Sequence, residues 1–143
     1  MRPILIFALA LGALAANDPT ETPPRTIWDG VYSAEQAARG KKAYVAECAR
    51  CHGDKLEGKK DDEEEAPAMI GKEFLAGWYG KPLGRMVDLT RRTMPPETAG
   101  TMSRPMTLDL VAYLLSENGI PAGKTDLPTT GAALREIMIE PKK

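Results

Sequence analysis

Side chains that bind metals through nitrogen or sulfur are scarce in this sequence. Among 143 residues there are one histidine and two cysteines, although seven methionines are spread along the chain. A structural zinc site takes four protein ligands, so histidine and cysteine alone cannot complete one here. The single histidine also excludes a metal centre held by two histidines of one chain.

A strong excess of charge of either sign is lacking too. Lysine and arginine together number 19, aspartate and glutamate number 20, and the formal net charge is −1. A protein that binds nucleic acid normally carries a basic surface. We therefore expect no nucleic-acid partner.

The chain also lacks an apolar run of the ~20 residues that a membrane-spanning helix needs. Its most apolar stretch runs from Ile4 to Leu14, follows the basic Arg2 and ends in the small-residue pattern Ala13-Leu14-Ala15. This pattern is typical of a secretory signal peptide. We predict a signal peptide at 1–16, a periplasmic location and no membrane span in the mature form. An uncleaved N-terminal anchor is the alternative.

Removal of that segment leaves about 127 residues, enough for one domain. We predict an N-terminal extension at 17–32, a helical domain at 33–120 and a C-terminal extension at 121–143 that packs on the domain. No segment has a convincing strand pattern, so the sequence predicts an all-α fold with three or four helices and long loops.

Capping patterns predict where these helices begin and end. Ser33 opens the first helix in a capping box, with Gln36 reaching back to it. Pro82 suits the first position of a later helix. Thr107 is predicted to cap the last long helix, which ends at Gly119, a residue type favoured just beyond a helix C-terminus.

The only cysteines and the only histidine lie together, as Cys48, Cys51 and His52 in the run CARCH. A thiol redox pair usually accompanies a βαβ pattern, which is missing here. A disulfide would explain the cysteines and leave His52 unexplained. Covalent haem attachment uses all three residues, because each thiol can form a thioether bond and the adjacent histidine can bind iron. Export also fits this reading, so the sequence predicts one haem c attached through Cys48 and Cys51, with His52 as an axial ligand.

The second axial ligand must then come from a methionine, since no second histidine exists. We predict Met94, because Pro95 forces extended backbone on it and the Pro95-Pro96 pair stiffens the loop that carries it. Met102 and Met106 follow on the same predicted loop and remain competitors. Three other methionines suit the role less well. Met69 follows His52 too closely, Met86 has the spacing of a core-facing helical residue, and Met138 lies in the C-terminal tail.

In these features the chain resembles the class I (mitochondrial-type) c-type cytochromes and is similar to small bacterial periplasmic mono-haem cytochromes c. The matching residues are Gly40, Tyr44, the motif from Cys48 to His52, Pro67, Met94-Pro95, Leu110 and Tyr113. The resemblance implies a cytochrome c fold wrapped around one covalently bound haem. It implies a close approach of the first and last helices at Gly40, and a hydrogen bond from His52 to the carbonyl of Pro67.

The resemblance also suggests further haem contacts. Trp78 or Tyr79 is predicted to donate a hydrogen bond to a haem propionate, and Arg91 or its neighbour Arg92 to offset the propionate charge. Core packing of Trp78 and solvation of the arginines are the alternatives. The acidic run 61–65 departs from the family pattern and suggests a solvated loop.

The function implied is one-electron carriage and not enzymatic catalysis. Sequences flanking the motif are similar to cytochromes associated with quinoprotein dehydrogenases, so we expect a periplasmic dehydrogenase as donor and an oxidase or another cytochrome as acceptor. We expect a monomer. A haem-based gas sensor and a peroxidase-like enzyme, each with a labile Met94, are the alternatives.

Overall fold

The computed structural model describes residues 25–60 and 65–143. The predicted signal peptide at 1–16, residues 17–24 of the predicted N-terminal extension and most of the acidic run 61–65 lie outside the described residues.

Within the described residues, helices dominate the structure. The α-helices are α1 Ala34–Glu47, α2 Ala49–His52, α3 Lys72–Ala76, α4 Leu83–Thr93, α5 Arg104–Glu117 and α6 Gly131–Arg135, and a 3-10 helix covers Pro96–Thr98. The predicted helix-dominated fold is confirmed. There are more helices than the three or four expected, because α2, α3 and α6 are single turns too short to show helical periodicity.

Short strands also occur, although none was predicted. They are β1 Arg25–Thr26, β2 Lys59–Lys60, β3 Glu65–Ala66, β4 Lys81–Pro82 and β5 Ile137–Ile139. β5 lies between β1, to which it is parallel, and β4, to which it is antiparallel, while β2 and β3 form an antiparallel pair. The prediction of no strand is therefore wrong, because two or three residues carry no alternation that a sequence reading can detect.

Two apolar clusters fill the interior. The first cluster joins the helices to both ends of the described chain and consists of Ile27, Val31, Tyr32, Ala37, Leu75, Leu83, Met86, Val87, Leu108, Val111, Ala112, Leu115, Ile120, Leu127, Leu134, Ile137 and Ile139. The second cluster is smaller and consists of Tyr44, Ala49, Leu56, Met102, Leu110, Tyr113 and Leu114. The second cluster lies beside the cysteine and histidine motif, since it includes Ala49 from α2.

The two long helices, α1 and α5, cross at Gly40. A Cβ atom built on Gly40 would lie 1.9 Å from the carbonyl oxygen of Asp109 and 2.8 Å from Cβ of Tyr113. Only glycine allows the two backbones to approach so closely. The rings of Tyr44 and Tyr113 pack next to this crossing, with their centroids 5.3 Å apart. This arrangement agrees with the close approach implied by the family resemblance.

The start of α1 differs in one detail from the predicted capping box. The side chain of Ser33 accepts a hydrogen bond from the amide of Gln36 at 3.0 Å, as predicted. The side chain of Gln36 does not return to Ser33 but accepts a hydrogen bond from the amide of Leu127 at 2.7 Å. A contact with the C-terminal segment has replaced the local one.

Two other helix starts are displaced from their predicted positions. Pro82 is the N-cap of α4 and not its first residue. Ser103 is the N-cap of α5, and Thr107 lies one turn inside, where its hydroxyl donates to the carbonyl of Ser103 at 2.9 Å. α5 ends at Glu117 with Asn118 as its C-cap, and Gly119, whose φ is +75°, follows directly beyond the cap as predicted.

No helix in the described part of the chain is long and apolar enough to cross a membrane.

Candidate functional site

The cysteine and histidine motif forms one tight helical turn. Cys48 ends α1 and begins α2, and its carbonyl accepts hydrogen bonds from the amides of Cys51 at 3.1 Å and His52 at 2.9 Å. The turn stops at Gly53, whose φ of +79° is readily adopted only by glycine. Neither cysteine forms a disulfide with the other, and both are half-buried. The motif is thus compact, with both thiols still accessible for a bond to a ligand.

Burial raises the pKa of the Cys48 thiol to about 11, and the nearby Glu47 and Cys51 add to the effect. At neutral pH this side chain is therefore a protonated thiol. Thiol redox pairs depend on a cysteine whose pKa is lowered, because the thiolate is the reactive form. The environment of Cys48 therefore disfavours the redox-pair alternative.

The imidazole ring of His52 is oriented by a hydrogen bond to a backbone carbonyl. Its side chain is buried, and its Nδ1 lies 2.9 Å from the carbonyl oxygen of Pro67. A carbonyl oxygen can only accept, so Nδ1 donates and Nε2 keeps its lone pair. This fixes the ring and leaves Nε2 free to bind a metal ion. The partner of His52 is the residue that the family resemblance implies.

Met94 lies where α4 ends. It is the C-cap of that helix, with an extended backbone of φ −119° and ψ 145°, and Pro95 follows it. Its side chain is half-buried and packs against the second cluster. Cys48 packs against the same cluster, so the structure brings the predicted attachment motif and the predicted thioether ligand to one apolar region.

The other candidate methionines differ in where they lie and in how deeply they are buried. Met102 is buried within the second cluster, and Met69 packs against it while half-buried. Met106 does not lie on the predicted loop but in the first turn of α5, where it is 37% exposed. Met86 is buried in the first cluster, and Met138 lies on β5. Met102 is therefore the nearest structural competitor of Met94.

The residues predicted to contact a propionate lie elsewhere. Trp78 and Tyr79 are partly buried against the first cluster, and Arg91 is exposed on α4. The ammonium group of Lys81 lies 5.5 Å from the centre of the Trp78 ring. Phe74, which packs against both clusters, links this region to the second cluster. A propionate role for Trp78, Tyr79 or Arg91 stays a prediction.

Two contacts that stabilise the site were not foreseen from the sequence. The hydroxyl of Tyr44 donates to the carbonyl of Gly53 at 2.5 Å and so fastens α1 to the end of the motif. The side chain of Asn118 accepts from the amide of Gly71 at 2.9 Å and donates to the carbonyl of Met69 at 3.0 Å. Asparagine at a helix end indicates a cap, but its distant partner has no sequence signal.

The donor set fits a haem c. Two cysteine thiols stand one helical turn apart, the adjacent imidazole is oriented through Nδ1 by the Pro67 carbonyl, and a thioether packs against the same apolar cluster as one of the thiols. These are the groups that attach haem c and bind its iron.

The helix-dominated fold together with the Cys-x-x-Cys-His motif defines a c-type cytochrome. Residues 35–114 match the family model described as "Cytochrome C oxidase, cbb3-type, subunit III". The match covers more than half of the chain, and the chain belongs to this family.

Among curated proteins, none matches the chain. One similar solved structure is the crystal structure of the sulfane dehydrogenase SoxCD from Paracoccus pantotrophus, which is 22% identical. The alignment covers 90% of this chain and 68% of that chain, with a TM-score of 0.45. At that TM-score the two backbones differ too much for the likeness to define the fold.

Proposed function

We propose that this protein carries single electrons in the periplasm with one haem c, attached through Cys48 and Cys51 and ligated by His52 and Met94. The family implies a haem-based electron carrier. The finer proposal depends on one observation above all. The Nδ1 of His52 lies 2.9 Å from the carbonyl oxygen of Pro67, and Met94 packs against the same apolar cluster as Cys48.

Each residue has a defined task in this proposal. When bound, the haem supplies an iron atom that alternates between the ferric and ferrous states. The carbonyl of Pro67 orients the His52 ring and increases its donor strength. The thioether of Met94 favours the ferrous state, and the second cluster excludes water, which disfavours the extra charge of the ferric state. If His52 and Met94 both bound the iron, no position would remain there for a substrate.

The sequence supports the cellular setting that we propose. Haem c is attached after export, which agrees with the signal-peptide pattern at 1–16. The family description names an oxidase subunit, which supports an oxidase or another cytochrome as acceptor. A periplasmic dehydrogenase, with quinoproteins as the first candidates, is the proposed donor, and we propose that the carrier is a monomer.

The ligand assignment is tested by the weak long-wavelength absorption band of ferric haem bound to methionine. We expect Met94→Ala to abolish this band and the matched variants Met69→Ala, Met102→Ala and Met106→Ala to keep it. Loss of the band in Met102→Ala alone would instead assign the ligand to the competitor.

Carbon monoxide binding tests whether His52 and Met94 together leave the iron without an open coordination position. The wild-type ferrous protein is expected to bind carbon monoxide slowly, because Met94 must leave first, whereas Met94→Ala binds it rapidly. Rapid binding by the wild-type protein would contradict the proposal of an electron carrier and would favour the gas-sensor or peroxidase-like alternative.

A further inference from the structure

The segment from Met94 to Met102, here called the strap, is exposed along most of its length. Met94 is half-buried and Met102 is 6% exposed, and both belong to or pack against the second cluster. Residues 96–101 between them are exposed to solvent. The side chains at the two ends therefore fasten the strap, and its middle receives little packing.

Hydrogen bonds within the strap are local. The amide of Thr98 donates to the carbonyl of Pro95 at 3.1 Å, and the amide and hydroxyl of Thr101 donate to the carbonyl of Thr98 at 3.1 Å and 2.7 Å. Among the hydrogen bonds between described residues, a single one connects residues 95–101 with a residue outside the strap. The Glu97 carboxylate accepts from the guanidinium of Arg50 at 2.7 Å.

Arg50 lies between the two cysteines of the attachment motif, on α2. Its bond to Glu97 therefore joins the turn that carries the two cysteines and His52 to the middle of the strap that carries Met94, 47 residues further along the chain. The carbonyl of Arg50 also accepts a hydrogen bond from the ammonium group of Lys59, which ties this turn to β2.

We propose that Arg50 and Glu97 form a positioning pair that holds the strap against the attachment motif and so slows the departure of Met94 from the iron. The inference rests on the proposed function, in which Met94 is a ligand. The strap must move for Met94 to leave, and that movement breaks the ion pair.

The expected effect is small, because both side chains are mostly exposed, at 66% for Arg50 and 57% for Glu97. Exposed ion pairs contribute weakly, which corresponds to a change in dissociation rate of up to about fivefold. Salt should screen the pair, so the wild-type rate should approach that of the variants at high ionic strength.

The test uses the holoprotein and neutral imidazole, which binds ferric iron only after Met94 has left. Glu97→Gln and Arg50→Gln should each raise the limiting rate of imidazole binding by up to about fivefold, while the long-wavelength band remains present. The effects of the two single substitutions should be less than additive in the double variant, since each of them removes the Arg50–Glu97 ion pair. Exchange of the charges, with Arg50→Glu and Glu97→Arg together, should return the rate toward that of the wild type.

Glu136→Gln is the matched control, because it also removes one exposed carboxylate, from the C-terminal segment. Equal rates in Glu97→Gln and Glu136→Gln would overturn the proposal, as would additive effects in the double variant.

Amide hydrogen exchange over residues 95–101 gives a second readout that does not depend on the ligand. Exchange in this segment should be faster in Glu97→Gln than in Glu136→Gln, because the strap is less restrained. If Met102→Ala and not Met94→Ala lost the absorption band, the proposed ligand would be wrong and exchange would still decide whether the pair restrains the strap. Unchanged exchange with a correct Met94 ligand would overturn the pair alone.

Discussion

Gly40 is the residue at which the long helices α1 and α5 have the least room. The hydrogen atom of glycine allows the backbone of α1 to touch the Asp109 carbonyl of α5, where a Cβ atom would lie 1.9 Å from the oxygen. The obstacle is backbone in the middle of a helix, which cannot rotate aside as a side chain can. A larger residue must therefore push the helices apart and disturb both apolar clusters.

We predict that Gly40→Ala lowers the free energy of unfolding by about 3 kcal/mol, the upper part of the range for overpacking a close-packed interior. Chemical denaturation of the holoprotein measures this. Gly77→Ala is the matched control, because a Cβ atom at Gly77 would come no closer than 3.4 Å to the carbonyl oxygen of Phe74 and Gly77 has an ordinary φ of −63°. Equal stability of the two variants would show that the helices separate without cost.

At the scale of single residues, the parts of the site that were predictable are those with local or strongly constrained signals. Cys48, Cys51 and His52 are adjacent in sequence, and Met94 is marked by the proline after it. Glu97 carries no such signal, because its partner is 47 residues away and both residue types are common on surfaces.

At the scale of elements, the C-terminal segment is attached to the first turns of α1 by charge and hydrogen bonds. The carboxylate of Asp126 accepts from the Ser33 hydroxyl and, at 2.6 Å, from the guanidinium of Arg39. Arg39 also binds Asp109 on α5 through two bonds, at 3.0 Å and 3.1 Å. The hydrogen bonds from Ser33 and from Arg39 lower the pKa of Asp126 below its usual value.

This contact should make the stability depend on pH. The lowered pKa of Asp126 means that its carboxylate stabilises the fold above the ordinary pKa of aspartate, about 3.9, and that this contribution is lost as the pH falls through the lower folded value. Arg39 stays charged throughout, because the hydrogen bonds to Asp109 and Asp126 raise its pKa further.

We predict that Asp126→Asn lowers the melting temperature by about 2–4 °C at pH 7 and by less below about pH 4, since exposed ion pairs contribute weakly. Thermal unfolding followed by circular dichroism at several pH values measures the difference. Asp88→Asn is the control, as its ion pair with Arg104 is long, at 4.0 Å. A difference between wild type and Asp126→Asn that stayed constant down to pH 3 would refute the assignment.

The long helices α1, α4 and α5 were predictable from their periodicity and caps, but the short elements were not. β5 has three residues, and its partners β1 and β4 come from distant parts of the chain. Pairing of this kind depends on which backbones meet after the helices pack. The start of α5 differs from the prediction because both Ser103 and Thr107 are of a capping residue type, and Ser103 is the one that accepts from the amide of Met106. The start of α4 differs by one residue, within the usual uncertainty of a helix boundary.

At the scale of the whole molecule, the two apolar clusters differ in how much of their surroundings the protein supplies. The first cluster has 17 buried members, reaches both ends of the described chain and is bordered by four partly buried side chains: Trp28, Phe74, Trp78 and Tyr79. The second cluster has seven, and it is bordered by side chains that are only partly buried: Ala43, Cys48, Met69, Ile70, Phe74 and Met94. A bound haem would cover this border with apolar surface.

We therefore predict that the double variant Cys48→Ala, Cys51→Ala, which cannot attach haem c, is largely unfolded. Packing of α1 on α5 involves both clusters, because Tyr44 and Tyr113 of the second cluster lie beside the Gly40 crossing that also supports the first. Loss of the second cluster should therefore disturb the first and not leave it as an independent folded unit. Far-ultraviolet circular dichroism measures the helix content. The single variant Cys48→Ala, which keeps one thioether bond, is the control and should stay folded. Native-like helix content in the double variant would mean that the first cluster alone stabilises the fold.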